Sequence, residues 1–240
     1  MSVNSMSNIL VLDASSAWCS VALSAKGTLY SAAEMQPRKH AQLIMPMIDD
    51  ICQQAGIKPR ELDGIAFGKG PGSFTGLRIA ISVAQGLSLA TGARLFGISS
   101  LEALAWEGMK QLSIQQMFVI MNAHMGEVFY GAYRNTEQGL VAVIADSLGK
   151  PGQVDFSELD MPQWTGAGDG FQFSAELPES IADLDGIHQE TSPMAESMMD
   201  LAMAAWNTDR FTTAEFQEPV YLRDTVAWKK LAEQPSLLKK

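Results

Sequence analysis

Two apolar runs of the same design constrain this chain most. Ile9-Leu10-Val11-Leu12 ends in Asp13, and Phe118-Val119-Ile120-Met121 ends in Asn122. Continuous apolar runs of this length read as strands buried on both faces, at the centre of a sheet covered on either side. Each leads into two further strand patterns. After the first, Cys19, Val21 and Leu23 alternate with Ser20, Ala22 and Ser24, Lys26-Gly27 turns the chain, and residues 28–34 form a third strand. After the second come a turn at Gly126, a strand over 128–134, a turn at Glu137-Gln138-Gly139 and a strand over 140–146. The first half continues with a helix over 40–55, striped by Leu43, Ile44, Met47, Ile48, Ile51 and Cys52 and stopped by Gly56. Pro46 inside it predicts a kink or a start nearby. A strand over 65–67, a helix over 75–90, a short strand over 94–97 and a helix opened by the capping-box pair Ser99 and Glu102 complete the half. The recurring order predicts an α/β chain of two βββαβα domains related by duplication, with mixed sheets flanked by helices. The expected division is 1–108 and 109–218, the second part less regular, with 219–240 returning to the first. Residues 193–206 read as an amphipathic helix whose methionines fill core.

The glycine-rich stretch Gly68-Lys69-Gly70-Pro71-Gly72-Ser73-Phe74-Thr75-Gly76-Leu77-Arg78 joins the fourth strand to a helix whose one charge is Arg78. Glycine lets another backbone come close, and Ser73 or Thr75 can cap the helix. The spacing fits neither a Walker A loop nor the dinucleotide fingerprint. Its simplest role is a tight connection that lets a helix pack closely. Asp13, Ser15, Gly70, Gly72, Ser73 and Gly76 are the residues from which a vestigial phosphate site would be built. The helix is apolar nearly all round, which predicts burial on more than one side. Gly76, Ala80 and Ala84 fall four apart, so a partner helix is expected there. Leu43, Met47, Ile51, Leu77 and Ile81 are expected to add apolar contact, and Ala80→Arg or Ala84→Arg to block the partner without unfolding the chain.

A formal net charge of −10 opposes autonomous binding to tRNA or DNA, whose affinity comes largely from cations on phosphates. Arg223, Lys229, Lys230, Lys239 and Lys240 read as a solvated tail. Cys19 and Cys52 lie in apolar segments, as buried thiols of a reducing compartment do. With no leader and no membrane span expected, the location expected is cytoplasmic. His40, His124 and His188 lack the spacing of paired metal ligands on one helix, and Cys19 and Ser73 have no evident base. No cofactor, metal or catalytic residue is assigned.

Paired βββαβα domains with an acidic residue closing strand one resemble the RNase H-like, actin-like (ASKHA) fold of ATPases and sugar kinases. In that fold the turn after each first strand holds phosphate, and the acid helps place a metal ion. Here the first turn reads Asp13-Ala14-Ser15-Ser16, without glycine, and Asn122 replaces the second carboxylate. An ATP site built from these parts lacks metal charge and close backbone approach. The alternative reading is an ATP-dependent phosphotransferase of the sugar-kinase type, and a weaker one is a peptidase.

More narrowly, the chain resembles the TsaB (YeaZ) family. The resemblance rests on Ile9–Asp13 with Cys19-Ser20-Val21-Ala22-Leu23, on Gly68 to Arg78, on Met125-Gly126-Glu127-Val128, and on Glu218-Pro219-Val220-Tyr221-Leu222-Arg223 with Val226-Ala227-Trp228-Lys229-Lys230. It implies a non-catalytic scaffold in tRNA N6-threonylcarbamoyladenosine (t6A) modification. The implied partners are the catalytic paralogue TsaD, bound through N-domain helices, and the ATPase TsaE. It also implies a homodimer through the same surface when alone, and contact with tRNA only through the complex. Relatives usually carry Asp where this chain has Asn122.

Overall fold

A computed structural model describes residues 7–223. The first sheet takes β1 (Ile9–Asp13), β2 (Trp18–Ala25), β3 (Thr28–Met35), β4 (Gly64–Gly70) and β5 (Arg94–Ser99), in the order β3-β2-β1-β4-β5. The second takes β6 (Gln116–His124), β7 (Glu127–Thr136), β8 (Gly139–Gly149), β9 (Thr165–Ala167) and β10 (Gly186–His188), in the order β8-β7-β6-β9-β10. In both, the first three strands run antiparallel and the last two join the first in parallel. The repeat seen in the two apolar runs is thus a repeat of topology, with β1 and β6 as the central strands.

Every residue of β1 is buried, because helices cover both faces of its sheet. On one face lie α1 (His40–Ala55) and α2 (Phe74–Thr91). On the other lies α4 (Ala195–Asn207), whose Met198 and Met199 pack on Ile9, Val11 and Ala66. Ser20 Oγ accepts the Ala195 N–H at 3.0 Å and fixes the start of α4. The third helix, α3 (Ser100–Leu112), packs instead on the second sheet through Leu101, Leu104, Ala105 and Met109. Its N-cap is Ser99, whose Oγ accepts from Leu101 and Glu102 N–H. The last helix of each half therefore crosses to the other half's sheet.

Two expectations need correction. The boundary at 108 falls inside α3, and the sheets divide between Ser99 and Gln116; α4, from the later segment, completes the first half's core. The second half has no α-helix corresponding to α1 or α2 among the described residues. Short 3-10 turns over Pro151–Gln153, Met161–Gln163 and Asp169–Phe173 stand there, sealed by Phe118, Phe156, Trp164 and Phe171. As expected, α1 spans His40 to Ala55 with Pro46 inside it, and Gly56, at φ 63°, ends it.

Gln217 to Arg223 form a strap over both halves. Gln217 Oε1 accepts the Gly97 N–H at 2.9 Å, and Val220 N–H donates to Lys69 O at 2.8 Å. The Arg223 guanidinium donates to Ala123 O at 3.1 Å and pairs with Glu127 on the β6–β7 turn. The Val226–Lys230 run and the terminal lysines lie outside the described residues. No helix among the described residues is long and apolar enough to cross a membrane.

Candidate functional site

A cleft of about 830 Å³ opens between the two halves. The β1–β2 turn supplies Ser15, Ser16 and Trp18 to it, and the start of α1 supplies Arg38 and His40. The start of α2 contributes Gly72, Ser73 and Thr75, and the end of β6 contributes Asn122 and His124, with Asp169 opposite.

Asp13 closes β1 fully buried. Its Oδ2 accepts the Ser15 N–H at 3.1 Å and Ser15 Oγ at 3.0 Å, while Oδ1 has no partner among the described residues. Burial outweighs these bonds and pushes its pKa up to about 6. A Cβ at position 68 would overlap Oδ1, so Gly68 makes room for the carboxylate. The rest of the loop lies on the same turn. Ser73 N–H donates to Ser15 O at 2.8 Å, a Cβ at Gly72 would come within 2.5 Å of that oxygen, and one at Gly76 would overlap Ala14 O. Ser73 caps α2, its Oγ accepting the Gly76 N–H at 3.3 Å. The glycines thus serve a backbone approach, but the backbone they admit is the chain's own. Asp13, Ser15, Gly72, Ser73 and Gly76 come together; Gly70, at φ 105°, faces the strap at Val220 instead. The N–H groups of Ser15 and Ser73 are already spent within this assembly, whereas a phosphate nest needs them free.

The second turn repeats the first. Asn122 Oδ1 accepts the His124 N–H at 2.7 Å, the bond Asp13 makes to Ser15, and Asn122 N–H donates to Asp169 Oδ1 at 2.8 Å. Gly168 and Gly170 press on Ile120 as Gly72 and Gly76 press on the first turn. His40 is buried, its Nε2 3.4 Å from Ala17 O. Cys19 is pushed up to about 11, first by burial and then by Asp13, so it stays a thiol at neutral pH. Among the described residues no three His, Cys, Asp or Glu side chains are grouped to hold a metal ion. Arg38 and Asp169 carried no sequence signal for this cleft, since they reach it only through the packing of the two halves, whereas His124 lies in the turn that follows the second apolar run.

The expected partner face is corrected. Met47, Ile51, Ala80, Ile81 and Ala84 are buried between α1, α2 and the first sheet, Leu77 is buried beside Gly70, Gly76 lies on Ala14, and Leu43 is at the margin. That stripe is the domain's own core. What α2 turns outward is a different ridge, Phe74, Arg78, Ser82, Gly86 and Ala90, all exposed. Beside it, Leu89 is 89% exposed, and Ile79, Val83 and Leu87 are half-buried.

Two sheets of identical strand order around a cleft, each with an Asx turn closing its central strand, define an actin-like protein of two duplicated domains. A family model described as TsaD, tRNA N6-adenosine threonylcarbamoyltransferase, matches residues 32–204. The tRNA threonylcarbamoyladenosine biosynthesis protein TsaB of Escherichia coli K12 is 34% identical over 225 residues, 93% of this chain and 97% of its own length. TsaB of Haemophilus influenzae is 30% identical over 235 residues, 93% and 96% of the two chains. The solved structure of YeaZ from Pseudomonas aeruginosa superimposes with a TM-score of 0.85 at 35% identity, covering 90% of this chain and 100% of that one. The chain belongs to the TsaB family.

Proposed function

We propose that this chain acts in tRNA t6A modification as a non-catalytic scaffold and activator. It binds a TsaD-type threonylcarbamoyltransferase through α1 and α2, works with a TsaE-type ATPase, and meets tRNA only through the complex. Without its partner it pairs with a second copy through the same helices. The observation that carries this reading is the filled turn. The strand-one carboxylate is buried, and the loop beside it occupies the approach that a phosphate would need. Family membership supports the pathway. The outward ridge of α2 supports the contact, because Ser82, Gly86 and Ala90 admit a helix at close range with Val83, Leu87 and Leu89 alongside.

Gly86 offers a clean test. A Cβ there meets nothing within 4 Å. Gly86→Arg is expected to leave the fold intact and to favour it by about 0.5–1 kcal/mol, because Gly is a poor helix former. The same change places a long charged side chain on the ridge. It is expected to weaken binding of the purified threonylcarbamoyltransferase on the order of 100-fold or more, the scale of a lost hot spot. Titration calorimetry with the full-length partner measures it. Unchanged affinity in a folded variant would remove α2 from the interface.

A further inference from the structure

The ridge does not end on α2. Phe74 and Tyr221 are 49% and 42% exposed, with ring centroids 5.6 Å apart. The Arg78 guanidinium carbon lies 3.6 Å from the Phe74 ring centre, and its Nε donates to Tyr221 Oη at 3.3 Å. Beyond Tyr221, the strap reaches the β6–β7 turn, where Met125 is 74% exposed with its Sδ 3.3 Å from Arg223. The α2 start, the strap and the second half thus meet in one exposed surface rich in Phe, Tyr, Met and Arg, side chains favoured where proteins dock.

We propose that this surface is a second contact for the partner, and that its occupant is a protein segment bringing a carboxylate beside an apolar side chain. It rests on the reading above only for the identity of that partner. Charge favours such an occupant. The chain has 27 carboxylate residues against 17 Lys and Arg, yet among the described residues no carboxylate pairs with Arg78. A guanidinium held 3.6 Å over an aromatic ring and hydrogen-bonded to Tyr221 has already given up rotamer freedom, so a carboxylate gains more from meeting it than from meeting a free surface arginine. A nucleic acid fits less well. Arg223 is already neutralised by Glu127, leaving Arg78 as the unpaired cation of the patch among the described residues, while the protein's overall charge repels a polyanion. The surface also continues the α2 ridge onto the second half, so one partner would touch both domains and the strap that joins them.

The test uses the full chain and the purified full-length threonylcarbamoyltransferase, with thermal melts to establish folding. Phe74, Arg78 and Tyr221 are exposed, so Phe74→Ala, Arg78→Glu and Tyr221→Ala are expected to melt close to wild type. Arg78→Glu is expected to weaken the partner by about 30-fold or more, and Phe74→Ala and Tyr221→Ala by about tenfold each. Wild-type affinity should fall with added salt, and Arg78→Glu should lose much of that dependence. An affinity within about twofold of wild type in Tyr221→Ala, the variant outside the α2 ridge, would overturn the inference. So would unchanged partner affinity with a loss of tRNA binding by the complex, which would make the surface an RNA contact. Phe74 and Arg78 also belong to the α2 ridge, so Tyr221→Ala decides: if Gly86→Arg abolishes binding while Tyr221→Ala does not, this inference falls and the helical interface stands, and the reverse result does the opposite.

Discussion

Ala80→Arg is expected to unfold the first half of the molecule, not to release a partner from an intact one. Ala80 is fully buried, on the α2 face that packs against the first sheet. An arginine there must bury an unpaired charge and also displace close-packed neighbours. Losses of that kind reach about 4–5 kcal/mol or more, a large part of a domain's net stability of about 5–15 kcal/mol. Ala84→Arg, equally buried, is expected to behave alike. Circular dichroism and chemical denaturation of the lone chain measure the effect without any partner. A cooperative transition at the wild-type midpoint in Ala80→Arg would mean that the inward stripe is not core. The contrast with Gly86→Arg, further along the same helix on its open side, separates a packing face from a docking face.

Asp13→Asn is expected to do the opposite and stabilise the chain at neutral pH. In the folded protein Asp13 titrates near 6 instead of its ordinary 3.8, because burial disfavours the charge more than Ser15 favours it. A raised carboxylate pKa means that the folded state holds a proton the unfolded state has lost. The stability this allows is complete below 3.8 and is lost as the pH rises through 6. Over that window the wild-type chain loses about 3 kcal/mol from this one group. A neutral amide at this position would carry no such penalty and would keep the turn, since Asn122 makes the same bond two residues ahead in the second half. Urea denaturation from about pH 4 to about pH 8 is expected to show Asp13→Asn gaining about 1–3 kcal/mol over wild type at the alkaline end, and the difference shrinking toward the acid end. A variant less stable than wild type at the alkaline end would show that the charge is compensated in a way the Asp13–Ser15 geometry does not contain.

Much of the architecture is written locally in the chain. The apolar runs ending in Asp13 and Asn122 became the two central strands. Ser99 and Glu102 announced α3, and Gly56 closed α1 in the left-handed conformation that glycine permits. The glycine loop was readable as a close approach, and its second party turned out to be the β1–β2 turn. What the sequence did not reveal depends on distant packing. The exchange of α3 and α4 between the sheets leaves no local trace, because an apolar helix face fits either sheet. For the same reason the inward and outward small-residue stripes of α2, Gly76-Ala80-Ala84 and Ser82-Gly86-Ala90, cannot be told apart by periodicity alone. In the second half Pro151, Pro162 and the closely spaced glycines of 166–170 break helical continuity. They explain in retrospect why 3-10 turns stand where α1 and α2 would be expected.

Everything proposed for this chain requires a cleft that performs no chemistry and a helical face that holds the partner. The most direct measurement is t6A formation on tRNA in a reconstituted system of threonylcarbamoyltransferase, ATPase and this chain, run with the wild type, with Asp13→Asn and with the chain omitted. No modification is expected without the chain, and wild-type modification with Asp13→Asn. Loss of modification in a well-folded Asp13→Asn protein, or a full rate with the chain left out, would refute that division of labour.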